Sequence, residues 1–189
     1  MSETETGRPE GRTQYSSEPE KIYDAQRRPG TPLGAGEYVH VLEGYLREWV
    51  CMGQCNIYIA TARDQELKEL ISLYEKDVCD PNIAEMQELL ESSGYTVPLP
   101  LDAAPTSTDP VQTEAINDTT IALGQWFATR AFMDLWHAGA VASQRTDVRD
   151  AFIRNYHRAN RWHIAYHETA LRKGYLHALP QVPVQQSPQ

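Results

Sequence analysis

His163 and His167 stand four residues apart in the segment RTDVRDAFIRNYHRANRWHIAYHETALRKGYLHALP, which runs from Arg145 to Pro180. Four residues is about one helical turn, so both imidazoles share a face, the spacing that suits a single metal ion. On a helical wheel Phe152, Tyr156, Asn160, His163, His167, Ala170 and Gly174 fall within about 40° of one line. This stripe is unusually polar, and each buried group left without a partner would cost about 1–3 kcal/mol. Two readings follow. In one, His163 and His167 hold iron or manganese and a carboxylate from Glu43 or Glu85 completes the site. In the other, no cofactor is required, and the pair belongs to a hydrogen-bonded core with Tyr156 and Asn160. Such a core would weaken in mild acid, because burial disfavours the charged imidazolium.

Cys51 and Cys55 are also one turn apart. A wheel anchored on Leu42 and Trp49 turns them away from the core, beside Gly44 and Tyr58, where packing at a protein interface is favoured over soft-metal binding or redox sensing. With Cys79 they make three cysteines, an odd number that suits a reducing compartment better than a disulfide scaffold.

The elements that carry these residues are helical. Helix one is expected from about Gly36 to Ala62, with Val39, Leu42, Leu46, Trp49, Gly53, Asn56, Ile57 and Ala60 on its core face. Helix two follows from Asp64 after almost no loop, which forces an antiparallel hairpin. Leu67, Leu70, Ile71, Tyr74 and Val78 face the partner, Pro81 kinks or splits the helix, and Ile83, Met86, Leu89 and Leu90 resume before Gly94 closes it. Residues 95–117 form a Pro-rich connection long enough to run the length of a bundle. Helix three is expected from Asp118 to Gln144, and helix four from Arg145, again as a hairpin. Two hairpins joined by one long crossover make an all-α, ferritin-like four-helix bundle over 36–178. Residues 1–35 and 179–189 are too poor in large aliphatics to offset their ordering entropy and are expected to be disordered arms.

Di-iron bundles of this kind take a Glu from two helices and Glu-x-x-His from the other two. Here the nearest spacings are Asn160-Arg-Trp-His163 and Glu85-x-x-Glu88, helix three offers only Gln125, and Asp134-Leu-Trp-His137 faces outward. The full di-iron set is absent.

The runs DTTIALGQWF from Asp118, SQRTDVRDAF from Ser143 and ALRKGYLHALP from Ala170, with ARDQELKELI after helix one and SGYTVPLP after helix two, resemble a family of unassigned function. That family is ferritin-like, abundant in spore-forming Firmicutes and akin to spore coat protein F. The resemblance spans about residues 36–180; it implies the bundle fold and a link to sporulation, and it implies no reaction.

The 189-residue chain has a net charge of −9, which argues against nucleic acid as a partner. It shows neither a signal peptide nor an apolar run that could span a membrane, so a cytoplasmic location is expected. Charge is unevenly placed: Asp64–Glu91 carries nine acidic and two basic residues, whereas Arg145–Lys173 carries seven basic and three acidic, so helices two and four should attract. Helix three is apolar nearly all round, with Leu123, Trp126, Phe127, Met133, His137 and Val141 outward, and predicts a homo-oligomer. The function favoured is a non-catalytic structural or interaction protein. The alternatives are a degenerate metalloprotein with oxidase-type chemistry, and a binder of a small ligand among Tyr45, Trp49, Tyr74 and Trp162.

Overall fold

In the computed structural model, which describes residues 31–98 and 116–178, helix α1 spans Ala35–Thr61, α2 Gln65–Tyr74, α3 Asp80–Ser92, α4 Asp118–Ala142 and α5 Thr146–Arg172. A π-helical turn, Glu75–Cys79, joins α2 to α3 without a break, so the five helices make four rods. Each rod packs on two neighbours. The α2–α3 rod and α4 flank α1, and the same two flank α5. The helical bundle is as expected; most of the crossover and both terminal arms lie outside the described residues. Thr31–Gly34, assigned above to the N-terminal arm, are described, and Leu33 is buried in the core.

The ends of the rods are locked by side chains. Asp64 Oδ1 accepts from the amides of Glu66 and Leu67, which caps α2 as the short linker required. The cap of α4 is Asn117, one residue ahead of the expected Asp118. Asp118 instead accepts from the amides of Arg63 and Asp64, tying the first turn of α4 to the α1–α2 corner. Gly94 and Gly174, at φ of +82° and +73°, end α3 and α5 in the left-handed region that glycine enters at least cost.

Pro81 neither breaks the second rod nor splits it. A proline ring collides with the carbonyl four residues earlier, and the π turn relieves this by re-pairing the backbone one residue wider, Asp80 N–H to the Glu75 carbonyl. The extra residue turns Val78 and Cys79 both inward, each fully buried. The apolar register predicted for this rod, from Leu67 to Leu90, faces the core.

The phase of α1 is corrected. Its buried residues are Glu37, Val41, Gly44, Tyr45, Glu48, Cys51 and Cys55, all within about 60° of Glu48. Val39, Leu46, Gly53, Asn56, Ile57 and Ala60, expected inside, are exposed. The apolar stripe of the sequence is therefore the outer face. Glu37 and Glu48 sit on the inner one because the Gln144 and Arg145 amides donate to the first and Asn82 to the second.

Candidate functional site, a buried thiol and carboxylate cluster

The four predicted metal ligands do not meet. Glu43 is exposed and pairs with Arg47 on its own helix at 3.3 Å. Glu85 pairs with Arg154 at 2.9 Å and Arg158 at 3.0 Å. His163 and His167 lie half-buried at the α4–α5 seam, where Trp126 stacks on both, with ring centroids 5.5 and 5.4 Å away. Both nitrogens of His163 are engaged: Nε2 accepts from Trp126 Nε1, and Nδ1 lies 3.1 Å from Thr129 Oγ1 and 3.2 Å from the Trp126 carbonyl. These partners define a neutral ring. Burial pushes its pKa below the usual value, against the Trp126 carbonyl, with His167 and Arg130 adding to the fall. The partners come from α4 rather than from Tyr156 and Asn160, which are half-buried on α5.

Among the described residues, the group of His, Cys, Asp and Glu side chains close enough to share an ion is Glu48, Cys51 and Cys79, whose ligand atoms lie within 4.8 Å of one another. The placement of Cys51 and Cys55 on the outside is thus overturned: both are buried, as is Cys79, and all three are free thiols. Glu48, Cys51 and Cys55 share one face of α1, and the π turn brings Cys79 across to them. The pattern Glu-x-x-Cys-x-x-x-Cys carried this signal, but a wheel anchored on Leu42 and Trp49 pointed it away.

The chemistry of the cluster follows from burial. Asn82 Nδ2 donates to Glu48 Oε1 at 2.6 Å, while Glu48 Oε2, also buried, has no hydrogen-bond partner in the protein. Burial pushes the Glu48 carboxyl up to about 8, opposed by hydrogen bonds from Asn82 and Cys79. Hydrogen bonds from Cys51 and Cys79 hold the Cys55 thiol down to about 4, against burial, and Gln125 Nε2 adds a third donor at 3.1 Å. Cys51 and Cys79 move the opposite way, upward: Cys51 chiefly through its hydrogen bond to Cys55, Cys79 chiefly through its hydrogen bond to Cys51 and then to Cys55, with burial adding to both. Tyr74 and Tyr166, buried in the same core, have hydroxyls without a partner in the protein.

Glu48, Asn82, Gln125 and Asn155 are buried polar residues drawn from the four rods, and Arg158 reaches two of them. Its Nη1 donates to Asn82 Oδ1 at 3.0 Å and Asn155 Oδ1 at 2.7 Å, and its guanidinium pairs with Glu85. A di-iron or di-manganese centre needs four carboxylates and two imidazoles. These positions, with Glu85 and Arg158 three residues on from Asn82 and Asn155, offer two carboxylates, three amides and a cation. They do not fit such a centre. The aromatic residues considered as a ligand pocket pack on one another, Tyr74 edge-on to Trp162 and Tyr166 at 5.7 and 5.8 Å.

The outer surface carries a second feature. On α4, Phe127 and Val141 are exposed, but Trp126 is covered by the two histidines of α5. The longer apolar stripe is on α1, where Val39, Leu46, Val50 and Ile57 are 56, 39, 64 and 55 % exposed. Among the described residues, no helix is long and apolar enough to cross a membrane.

A family described as "Protein of unknown function (DUF3231)" matches residues 25–187. Among solved structures, this fold is similar to that of a "putative spore coat protein" from Bacillus halodurans C-125, with a TM-score of 0.69 and 19% identity over 81% of this chain and 97% of the other. No curated protein matches.

Proposed function

This chain belongs to the DUF3231 family, and we propose that it is a non-catalytic, ferritin-like structural bundle that assembles with copies of itself, as a component of a spore-coat type. The observation that carries the reading is the outer face of α1. Val39, Glu43, Leu46, Val50, Gly53, Ile57 and Ala60 alternate at spacings of four and three, and all seven are exposed. That is the seam of a two-stranded coiled coil. An exposed apolar seam on a 27-residue helix is complementary to the same seam on a second copy across a two-fold axis. Gly53 has open space where a side chain would stand, and Arg47 pairs with Glu43, the one charge in the seam.

The ferritin-like reading is supported by the spacing of the core polar residues. One per rod, with a companion three residues on in the second and fourth rods, is the arrangement that di-iron bundles use. Here Arg158 contributes the positive charge a metal would bring, and a fixed guanidinium has no open coordination position. The similarity to the spore coat structure supports the assembly role and a place in the spore.

Sedimentation of the full chain tests the reading. The expected result is a concentration-dependent dimer or larger species, converted to a folded monomer by Val50→Glu with Ile57→Glu. A wild-type chain that stays monomeric at high concentration would overturn it, as would a double variant that assembles unchanged.

A further inference from the structure

We infer that Glu48, Cys51 and Cys79 supply three donors to one thiolate-preferring divalent cation of the zinc class. The first ground is geometric. Donors around zinc, at about 2.3 Å for sulfur and 2.0–2.2 Å for oxygen, stand roughly 3.4–3.8 Å apart, and the Glu48, Cys51 and Cys79 ligand atoms already lie within 4.8 Å of one another. Small rotations of side chains on three rigid turns close the remainder. The second ground is the orphaned oxygen. Asn82 fixes Glu48 through Oε1 and leaves Oε2 buried and unpartnered beside the sulfurs, and an amide that orients a ligating carboxylate in this way is a familiar outer-shell device.

The surroundings fit a cation as well. The guanidinium of Arg158 is committed to Glu85 and the two asparagines, so it does not neutralise the sulfurs. Tyr74 and Tyr166 keep hydroxyls without a partner in the protein in the same core. Soft sulfur donors select zinc over magnesium, calcium or manganese. An entry path exists too: a surface groove of about 260 Å³ between α1 and α4, lined by Leu46, Arg47, Val50, Gln54 and Phe132, reaches down to Cys51. Binding is an exchange without redox change, in which the cation displaces the thiol protons of Cys51 and Cys79 and the carboxyl proton of Glu48 to solvent.

The test is a cobalt titration of the full-length chain, reduced, chelator-treated and free of any histidine tag. The expected result is one equivalent of cobalt with sulfur-to-metal charge-transfer bands and the visible bands of tetrahedral coordination, displaced by zinc. Zinc should also raise the unfolding midpoint of the reduced wild type, a readout that does not depend on any variant folding. Cys51→Ser and Cys79→Ser should abolish the charge-transfer signal, and Glu48→Gln should weaken affinity. His163→Ala with His167→Ala should leave the titration unchanged. The assignment fails if the folded wild type shows no charge-transfer band, or if saturating zinc leaves its unfolding midpoint unchanged. It fails equally if cobalt binding survives the cysteine variants or is lost in the histidine variant.

Discussion

Asn82 on α3 donates a 2.6 Å hydrogen bond to Glu48 on α1, and the same asparagine accepts from Arg158 on α5 at 3.0 Å, so one amide joins three of the four rods. Removing it would strand a buried carboxylate oxygen and one arm of a guanidinium together. Asn82→Leu should lower the free energy of unfolding by about 1–3 kcal/mol, read from urea denaturation. Arg158→Met should cost about 1.5–3 kcal/mol, because Glu85, Asn82 and Asn155 all lose a charged donor. A wild-type midpoint in either variant would show that the ladder does not hold the rods.

Gly44 lies where α1 crosses the Trp136 ring: a methyl group there would stand 2.5 Å from one ring carbon and 2.7 Å from another. An indole that is itself fully buried cannot step aside. Gly44→Ala should therefore destabilise by about 1–3 kcal/mol through overpacking. At Gly53 the corresponding space is open, and Gly53→Ala should stabilise by about 0.5–1 kcal/mol through helix propensity alone. Thermal melts of the two variants at low concentration, with opposite shifts in Tm, would check both.

His163 titrates below its unfolded value of 6.5 because burial disfavours its charge. A group whose folded pKa is depressed gives stability that is complete above the unfolded pKa and lost as pH falls through the folded one. Unfolding midpoints should thus drop as pH falls below 6.5, and His163→Gln should flatten that part of the profile. An unaltered profile in the variant would place the acid sensitivity elsewhere.

Asp64 caps α2 and accepts from Lys173 Nζ at 2.6 Å and from Tyr175 at 2.8 Å, closing the first hairpin onto the end of α5. Lys173, then Tyr175 and the Leu67 amide, hold its carboxyl down to about 2 from 3.8, against burial, which pushes it up. The stability it adds is present above 3.8 and fades as pH falls toward 2. Asp64→Ala should cost about 0.5–2 kcal/mol at neutral pH from the cap alone, with little difference from wild type at the acid end. Urea titrations at the two pH values would read it.

The motifs that carried the family resemblance turn out to be clasps. Lys173 and Tyr175 of the KGYL run hold Asp64 of the ARDQ run. Arg145 of the RTDV run pairs with Asp147 and donates to the Thr31 carbonyl and Ser93 Oγ, while Glu37 accepts from the amides of Gln144 and Arg145. Charge asymmetry was legible for a similar reason: Glu85 meets Arg154 and Arg158, and Asp64 and Glu66 meet Arg172 and Lys173, across the expected pair of helices. Cap, turn and charge signals act over a few residues, so they can be read without knowing what lies across the core.

Sequence alone determined the helical composition, where each helix starts to within a residue, the inward face of the second rod, and the attraction between the second and fourth rods, whereas the last helix, expected to run on to Pro180, stops at Arg172 ahead of Gly174. Hydrophobic period, caps and glycine stops are local consequences of backbone geometry and side-chain type. Tertiary structure alone decided which side of α1 is inside. Periodicity finds an apolar stripe without saying what covers it, and a polar stripe is stable inside once partners on other rods satisfy it. Glu48 enters the core because Asn82 waits there. Cys51 and Cys55 turn inward with it because they share its face, and Cys79 reaches them because a π turn ahead of Pro81 adds one residue to the register. The apolar stripe of α1 is consequently left on the surface, where an intermolecular partner rather than the core would bury it.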